Sequence, residues 1–327
     1  MSISCGRRLP SRALLAGICA TCTVALLDYT LVTGAAAERS LAWQRTLLSQ
    51  RRDRVEEWWA RQLRLIQAHV RDPVFQRQAG TILSARRLAR RGGRRPEAAV
   101  LSRLVQPGLD AREFALLTGG GITASSTNPD RIGWYQPLQN TTTAIDPQRP
   151  ELTRLNYFTN PDTGLPTVSI AYPLGVGPGG RGGYYVVDLD LAALSRLISG
   201  AAMGDQAPAE KPAEQPSIYA VARTSLDRTT RIHPERPEWK ELPNLESRGI
   251  TQALDGSTGS ALYLNGSGVP VVGAFAPAGQ VNLAILVERP QREVFEAARR
   301  RVGWFVAVGM LICLLPLAMR SLGRERG

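Results

Sequence analysis

Two apolar runs bracket this chain, and they constrain its fold more than any other feature. Ala13 to Val32 is apolar apart from Thr21, Thr23, Asp28, Tyr29 and Thr30, and it follows Arg7, Arg8 and Arg12. Val302 to Met319, VGWFVAVGMLICLLPLAM, carries no charge, and Pro316 near its end is tolerable in a membrane helix. About 20 residues at ~1.5 Å rise match a ~30 Å hydrocarbon core. Both runs are therefore candidate transmembrane helices, residues 13–34 and 302–319. The rival for the first is a cleaved signal peptide with Ala35, Ala36 and Ala37 as its small-residue site. The rival for the second is a buried core helix, although such helices usually show a polar stripe. The N-terminal arginines favour an inside N-terminus. The expected topology then has cytoplasmic tails at 1–12 and 320–327, with residues 38–300 outside a plasma (inner) membrane. Asp28 falls near the outer interface, where a carboxylate costs far less than at the bilayer centre. A tail of eight residues cannot fold into a kinase or cyclase, so any output is expected from a separate protein.

The net charge of +12 is unevenly spread. Residues 38–100 hold 15 Arg against 6 acids, whereas residues 101–298 hold 16 Lys and Arg against 20 acids. The body is thus mildly acidic, which argues against a nucleic-acid surface. Cysteines occur only at Cys5, Cys19, Cys22 and Cys313, so the body has no disulfide framework or thiolate metal site.

Residues 38–70 contain neither Gly nor Pro, and Leu41, Leu48, Val55, Trp59, Gln62 and Ile66 recur at helical spacing. This predicts a stalk helix of ~50 Å continuous with the first apolar run. Trp58 and Trp59 are expected to pack in the core. Asp72-Pro73 ends that helix; further helices are expected at 74–88 and 97–105. The arginine-rich stretch 86–96 reads as a solvated basic loop, or alternatively as a contact with anionic lipid headgroups. The stalk and helical region as a whole covers 38–105.

Strand signals then take over. FALLT and ITASS flank Gly119-Gly120-Gly121 as a hairpin. LPTVSIAYPL (165–174) and GYYVVDLDL (183–191) flank a glycine-rich loop containing Gly175, Gly177 and Gly180. A dinucleotide fingerprint would open a helix there; β-type sequence follows instead, so a hairpin loop is expected. Residues 191–199 read as a short helix. The Pro-, Ala- and Glu-rich segment 203–217 is a linker between a first module (106–202) and a second (218–290). In the second, IYAVAR, TTRIHP, SALYLN, PVVGAFAP and VNLAILVE are candidate strands, with a turn at Asn265-Gly266-Ser267-Gly268. Residues 291–301 should form a connecting helix running unbroken into the second span.

This order of parts resembles the double Cache, PAS-like sensor domains of bacterial chemoreceptors and sensor kinases. The resemblance covers about residues 38–300. It rests on the stalk VEEWWARQLRLIQAHVRDPVF, the hairpin GGGITASS, Trp134-Tyr135, Asp162-Thr163-Gly164 leading into VSIAYPLG, and VVDLDLAAL. It implies an α+β fold, with a long N-terminal helix and two PAS-like antiparallel-sheet modules flanked by two transmembrane helices. It also implies a ligand in the membrane-distal module. Trp134 and Tyr135 look like the aromatic pair of the family's amino-acid pocket, and Asp188 like its carboxylate for a ligand ammonium. The family's arginine two residues before the tryptophan is Ile132 here, with Arg131 one place off. Its Tyr-x-Asp pair aligns with Phe158 and Asn160. Tyr172 completes the candidate set.

The expected ligand is a small polar or cationic molecule, an amino acid or an amine. Cation–π contact and ion pairing would suit an amine. The opposite expectation is that these residues are structural and the chain is an accessory membrane protein with a vestigial pocket. No catalytic constellation is visible, and His69 and His233 are too far apart in sequence to suggest a metal site. No cofactor is implied. Asp188 and Asp190 share a strand face; Asp190 fits best as a residue at the helix N-terminus. A homodimer through the stalk helices is compatible with this pattern.

Overall fold

A computed structural model describes residues 9–89, 105–136, 143–144, 154–159, 166–175, 182–199, 216–223, 229–233, 236–242, 247–279 and 282–324. Helix α1 is a single helix, Leu9–Arg71, whose 63 residues span roughly 95 Å. The apolar run and the stalk are thus continuous. The threonine hydroxyls in the run are satisfied locally. The hydroxyls of Thr21, Thr23 and Thr33 donate to carbonyls four residues back, at 2.9, 2.9 and 2.6 Å. Such back-bonding lets a hydroxyl sit in an apolar environment. Among the described residues, α1 is the one helix long and apolar enough to cross a membrane.

Asp72 separates α1 from α2 (Pro73–Ala89); its carboxylate accepts from the Val74 amide at 2.9 Å and caps the new helix. The first sheet has the order β2-β1-β6-β5-β4-β3, built from β1 (Ala111–Thr118), β2 (Thr123–Ser126), β3 (Thr143–Ala144), β4 (Arg154–Thr159), β5 (Pro166–Leu174) and β6 (Gly183–Asp190). Helix α3 (Leu191–Ser199) follows β6 directly. The second sheet has the order β10-β11-β12-β7-β8-β9. Its strands are β7 (Ser217–Arg223), β8 (Thr229–His233), β9 (Arg236–Leu242), β10 (Gly259–Leu264), β11 (Pro270–Pro277) and β12 (Leu283–Pro290), with α4 (Arg248–Leu254) between β9 and β10. All neighbouring strands pair antiparallel. In both sheets the first strand lies between its hairpin partner and the last strand. Five strands of each sheet, β2-β1-β6-β5-β4 and β8-β7-β12-β11-β10, therefore repeat one order, whereas the sixth lies at opposite edges, β3 beside β4 and β9 beside β8.

Helix α1 threads both sheets onto one core. Nearer its apolar run, the buried Gln44 donates to the Val272 carbonyl at 3.1 Å, and Arg45 Nε donates to Ser260 Oγ at 2.7 Å. Farther along, Trp58 Nε1 and Gln62 Nε2 both donate to Asp110 Oδ2, at 2.7 and 3.1 Å. The second sheet is thus proximal to the apolar run and the first distal. The proximal wall is rich in alanine (Ala220, Ala222, Ala274, Ala276), which lets the helix approach closely. Trp58 and Trp59 are both buried core residues, with ring centroids 5.0 Å apart. His69 lies against Phe75 and Tyr185. Burial pushes its pKa down, opposed by a hydrogen bond to Gln106 and by the charge of Asp72. This histidine is part of the packing.

Several expectations need adjusting. Strand β9 and helix α4 have no counterpart in the sequence reading. The helix leading to the C-terminal run is broken: α5 is Gln291–Val294 and α6 is Glu296–Arg324, divided at Phe295 (φ −99°, ψ 3°). Phe295 is buried, and seating its ring explains a break where an uninterrupted helix was expected. Residues 97–104 of the helix expected at 97–105, most of the arginine-rich stretch 86–96 and all but the last two residues of the linker 203–217 lie outside the described residues. The glycine-rich loop does connect two antiparallel strands, with Leu174 opposite Gly183, as a hairpin requires.

Helices α1 and α6 lie side by side. Arg301 Nε is 3.1 Å from Asp28 Oδ2, and a Cβ on Gly309 would fall 2.1 Å from Thr21 Cγ2. Leu26, Leu27 and Leu31 on α1, and Trp304, Phe305, Leu311 and Ile312 on α6, are all exposed. An apolar patch of that kind marks a surface meant for something other than water.

Candidate functional site

The distal sheet has two unlike faces. Strand alternation sends Phe114, Leu116, Tyr185, Val187, Val168 and Ile170 toward α1 and α2, into the main core. The other face carries Ala115, Leu117, Val186 and Ala171, a small separate cluster. At one end of that face, register sets Glu113 opposite Asp188 on β6, and Asp188 opposite Ser169 on β5. Three polar side chains thus form a row across three strands. All are buried: Glu113 7%, Asp188 3% and Ser169 1% exposed.

Arg131 meets the row from above. It ends a short 3-10 helix, Pro129–Arg131, that Asn128 caps by accepting from the Asp130 amide. One guanidinium nitrogen, Nη1, lies 3.3 Å from both Glu113 Oε2 and Asp188 Oδ2. The hydroxyl of Ser126 donates to Glu113 Oε1 at 2.6 Å, and Ser126 Oγ accepts from the Asn128 amide. This chain of bonds ties the arginine's loop to the sheet.

Burial pushes the Asp188 carboxyl up to about 6; the Glu113 charge adds to the rise, while Ser169 and Arg131 oppose it. Asp188 Oδ1 is buried and makes no hydrogen bond of good geometry, even though Ser169 faces it across the strands. A buried carboxylate oxygen without a donor costs free energy comparable to a lost hydrogen bond, about 1–3 kcal/mol or more for a charged group. An ammonium donated from outside would supply the missing partner.

The candidate residues do not all converge on this row. Asp188 and Arg131 do, although Arg131 is one place away from where the family pattern puts its arginine. Phe158 is two residues from Asn156, which pairs with Ser169, so it shares this face and is half-buried. Tyr172 lies on the opposite face, paired with Tyr185 and packed against the main core, because strand parity sends it there. Trp134 and Tyr135 are 59% and 69% exposed. They extend the edge beyond β2, where Thr123 donates to the Trp134 carbonyl and Tyr135 bridges Ile122. Thr123 is level with Leu117, four residues from Glu113, so their backbone is about 13 Å along the sheet from the carboxylates. Asn160 lies outside the described residues. Asp190 binds Arg112 at 2.7 Å and accepts from the Ala192 amide at 2.8 Å, so it caps α3.

Glu113, Ser126 and Ser169 were not anticipated. The only signal was a single acid in the strand AREFALLT, and its importance depends on a cross-strand register that one sequence does not reveal.

No family model matches the chain, and no curated protein matches it. Solved structures do. The ligand-binding domain of the Pseudomonas aeruginosa amino-acid chemoreceptor PctB with L-Gln shares 14% identity, covering 77% of this chain and 92% of that one, with a TM-score of 0.47. The periplasmic sensory domain of a Campylobacter jejuni chemoreceptor shares 12%, covering 80% and 98%, with a TM-score of 0.48. The ligand-binding domain of the Pseudomonas fluorescens chemoreceptor CtaA with L-serine shares 16%, covering 78% and 98%, with a TM-score of 0.46. The chain is similar to double Cache-type sensor domains. The chain's own two antiparallel sheets are strung along one helix.

Proposed function

We propose that this chain is a membrane-anchored extracytoplasmic sensor module whose distal sheet binds a small cationic or zwitterionic molecule. The observation that carries this reading is the buried carboxylate of Asp188, with an oxygen still lacking a donor. An ammonium would bind Asp188, and Glu113 would add negative potential. A ligand carboxylate, where present, would take Arg131. Binding would draw Arg131 away from the acidic row, and the loop tied to it through Ser126 and Asn128 would follow. That displacement would reach α1 through Asp110, which holds Trp58 and Gln62 and whose carbonyl accepts from the Asp190 amide at 2.8 Å.

The second apolar run, 302–319, is taken as a second span packed on the first, with residues 38–300 outside. Its exposed apolar surface and the Asp28–Arg301 pair support this. The signal would pass to a separate membrane protein. The other reading, an accessory protein with a vestigial site, is favoured by the fact that Arg131 already bridges both carboxylates.

Thermal unfolding of the detergent-solubilised chain against amines, amino acids and carboxylates separates the two. A ligand that binds only the folded state stabilises by about 2.7 kcal/mol at 100 times its dissociation constant. A shift with an amine or amino acid that is lost in Asp188→Ala supports the sensor. No shift with any compound supports the accessory protein. Reporter fusions at residues 150 and 327 should read export and cytoplasm respectively; the reverse at either would sink the topology.

A further inference from the structure

A cavity of about 1000 Å³ opens at the membrane end of the proximal module, between α1, the end of β12, α5 and α6. Its walls bring together cations from separate elements: Arg39 on α1, Arg292 on α5 and Arg299 on α6. Two further arginines in the wall have acidic partners one turn away, Arg289 with Glu293 at 3.8 Å and Arg300 with Glu296. The wall therefore holds three more positive than negative side chains. Trp43, which is half exposed, completes it.

The cavity's level along the helices is as informative as its charge. Arg39 lies five residues past the end of the first apolar run at 34, roughly 7 Å along the axis. Arg299 lies three residues before the second run begins at 302. The cations thus sit where both apolar surfaces stop, and tryptophan favours the same interfacial level. Guanidinium groups bind phosphate oxygens in bidentate fashion, so this residue type suits a phosphate ester.

We infer that this cavity holds a phosphate-ester anion, and that its source is the headgroup of an anionic phospholipid. The inference rests on the membrane-anchored reading above. One phosphate would bridge α1 to α6 beside the break at Phe295, holding the spacing of the two helices that leave the sensor body. Lipid composition would then set how readily a displacement in the body reaches the membrane.

The test titrates the full chain in neutral detergent with dioctanoyl-phosphatidylglycerol, read by native mass spectrometry. Binding is expected, and the Arg39→Gln/Arg299→Gln double variant should weaken it at least tenfold. Arg64→Gln, outside the cavity, should leave it unchanged. Dioctanoyl-phosphatidylcholine, glycerol 3-phosphate and inorganic phosphate should each bind at least tenfold more weakly. Equal affinity for the choline lipid, or no loss in a double variant that melts at the wild-type temperature, overturns the site. Equal affinity for glycerol 3-phosphate overturns the lipid source in favour of a soluble phosphate. Carbonate extraction of native membranes reads the anchor independently. Release of the chain sinks the membrane reading, whereas a retained chain without arginine-dependent lipid binding sinks only the headgroup site.

Discussion

The two sheets share the order of five strands and differ in what stands over one position. Asp188 and Glu288 each sit two residues before the end of the last strand, three before a helix begins, on the face turned away from α1. Both are buried. In the proximal sheet the strand neighbours of Glu288 are Ser217 and Gly273. The phenol of Tyr263 reaches over from β10 and donates to Glu288 Oε1 at 2.9 Å. Helix α4 then packs on the ring with Ile250 and Ala253. The fit depends on two glycines: a Cβ on Gly249 would fall 2.5 Å from Tyr263 Cζ, and one on Gly273 would fall 2.4 Å from its hydroxyl. A rigid side chain with no titration near neutrality fills that site, since burial pushes the phenol's pKa far above its usual value. In the distal sheet the same place is met by Arg131, a long cation on a short 3-10 turn. One position is thus closed by a packed ring in the proximal sheet and by an ion-paired arginine in the distal one.

Opening the proximal site should have the largest effect. Tyr263→Ala should cost about 3–5 kcal/mol, the usual range for deleting a buried ring, and lower the melting temperature sharply. A loss under 1 kcal/mol would show that the ring is no plug. Next is Asp188→Ala, expected to weaken an amine or amino-acid ligand at least 100-fold by calorimetry while moving the melting temperature only a few degrees. If binding survives in that variant, the two sites do not differ as described.

The pH dependence is smaller and has a definite sign. The folded-state pKa of Asp188, about 6, lies above its ordinary value of 3.8. Its contribution to folding is therefore fully present below about pH 4 and is lost as pH rises through about 6. Ligand affinity runs the other way, because an ammonium needs the ionised carboxylate. Affinity should fall about tenfold per pH unit below 6. Both trends should vanish in Asp188→Asn, and a pH-independent affinity in the parent chain would remove the carboxylate from the contact. The smallest effect is Tyr263→Phe, which keeps the ring's shape and deletes one buried hydrogen bond. It should cost about 1–3 kcal/mol by chemical denaturation, because the buried Glu288 Oε1 loses the phenol donor, and leave the distal ligand affinity unchanged.

What was legible in the sequence follows from local periodicity. The 3.6-residue repeat of Leu48, Val55, Trp59, Gln62 and Ile66 places all five in the buried face of α1, and the strand runs match β5, β6, β11 and β12 to within two residues. The polar tract Arg236–Leu242 lacked such a period, so β9 went unread; its pairing partner β8 decides it. Among the site residues, Asp188 could be singled out through the resemblance to the family's amino-acid pocket, not from its strand alone, which carries a second acid at Asp190. Tyr172 could not be excluded, because an aromatic in a strand gives no sign of which face is the core.

The sequence by itself determined the long helix, the apolar runs at both ends of the chain and the order of two β modules, because each rests on contacts between near neighbours. Only the tertiary structure decided that Glu113, Asp188 and Ser169 form one row, that Arg131 answers it, and that Tyr263 fills the matching place in the other module. Those relations depend on strand register. Register is set by pairing across as many as 75 positions, from Glu113 to Asp188, and a slip of one residue would turn every one of these side chains to the opposite face.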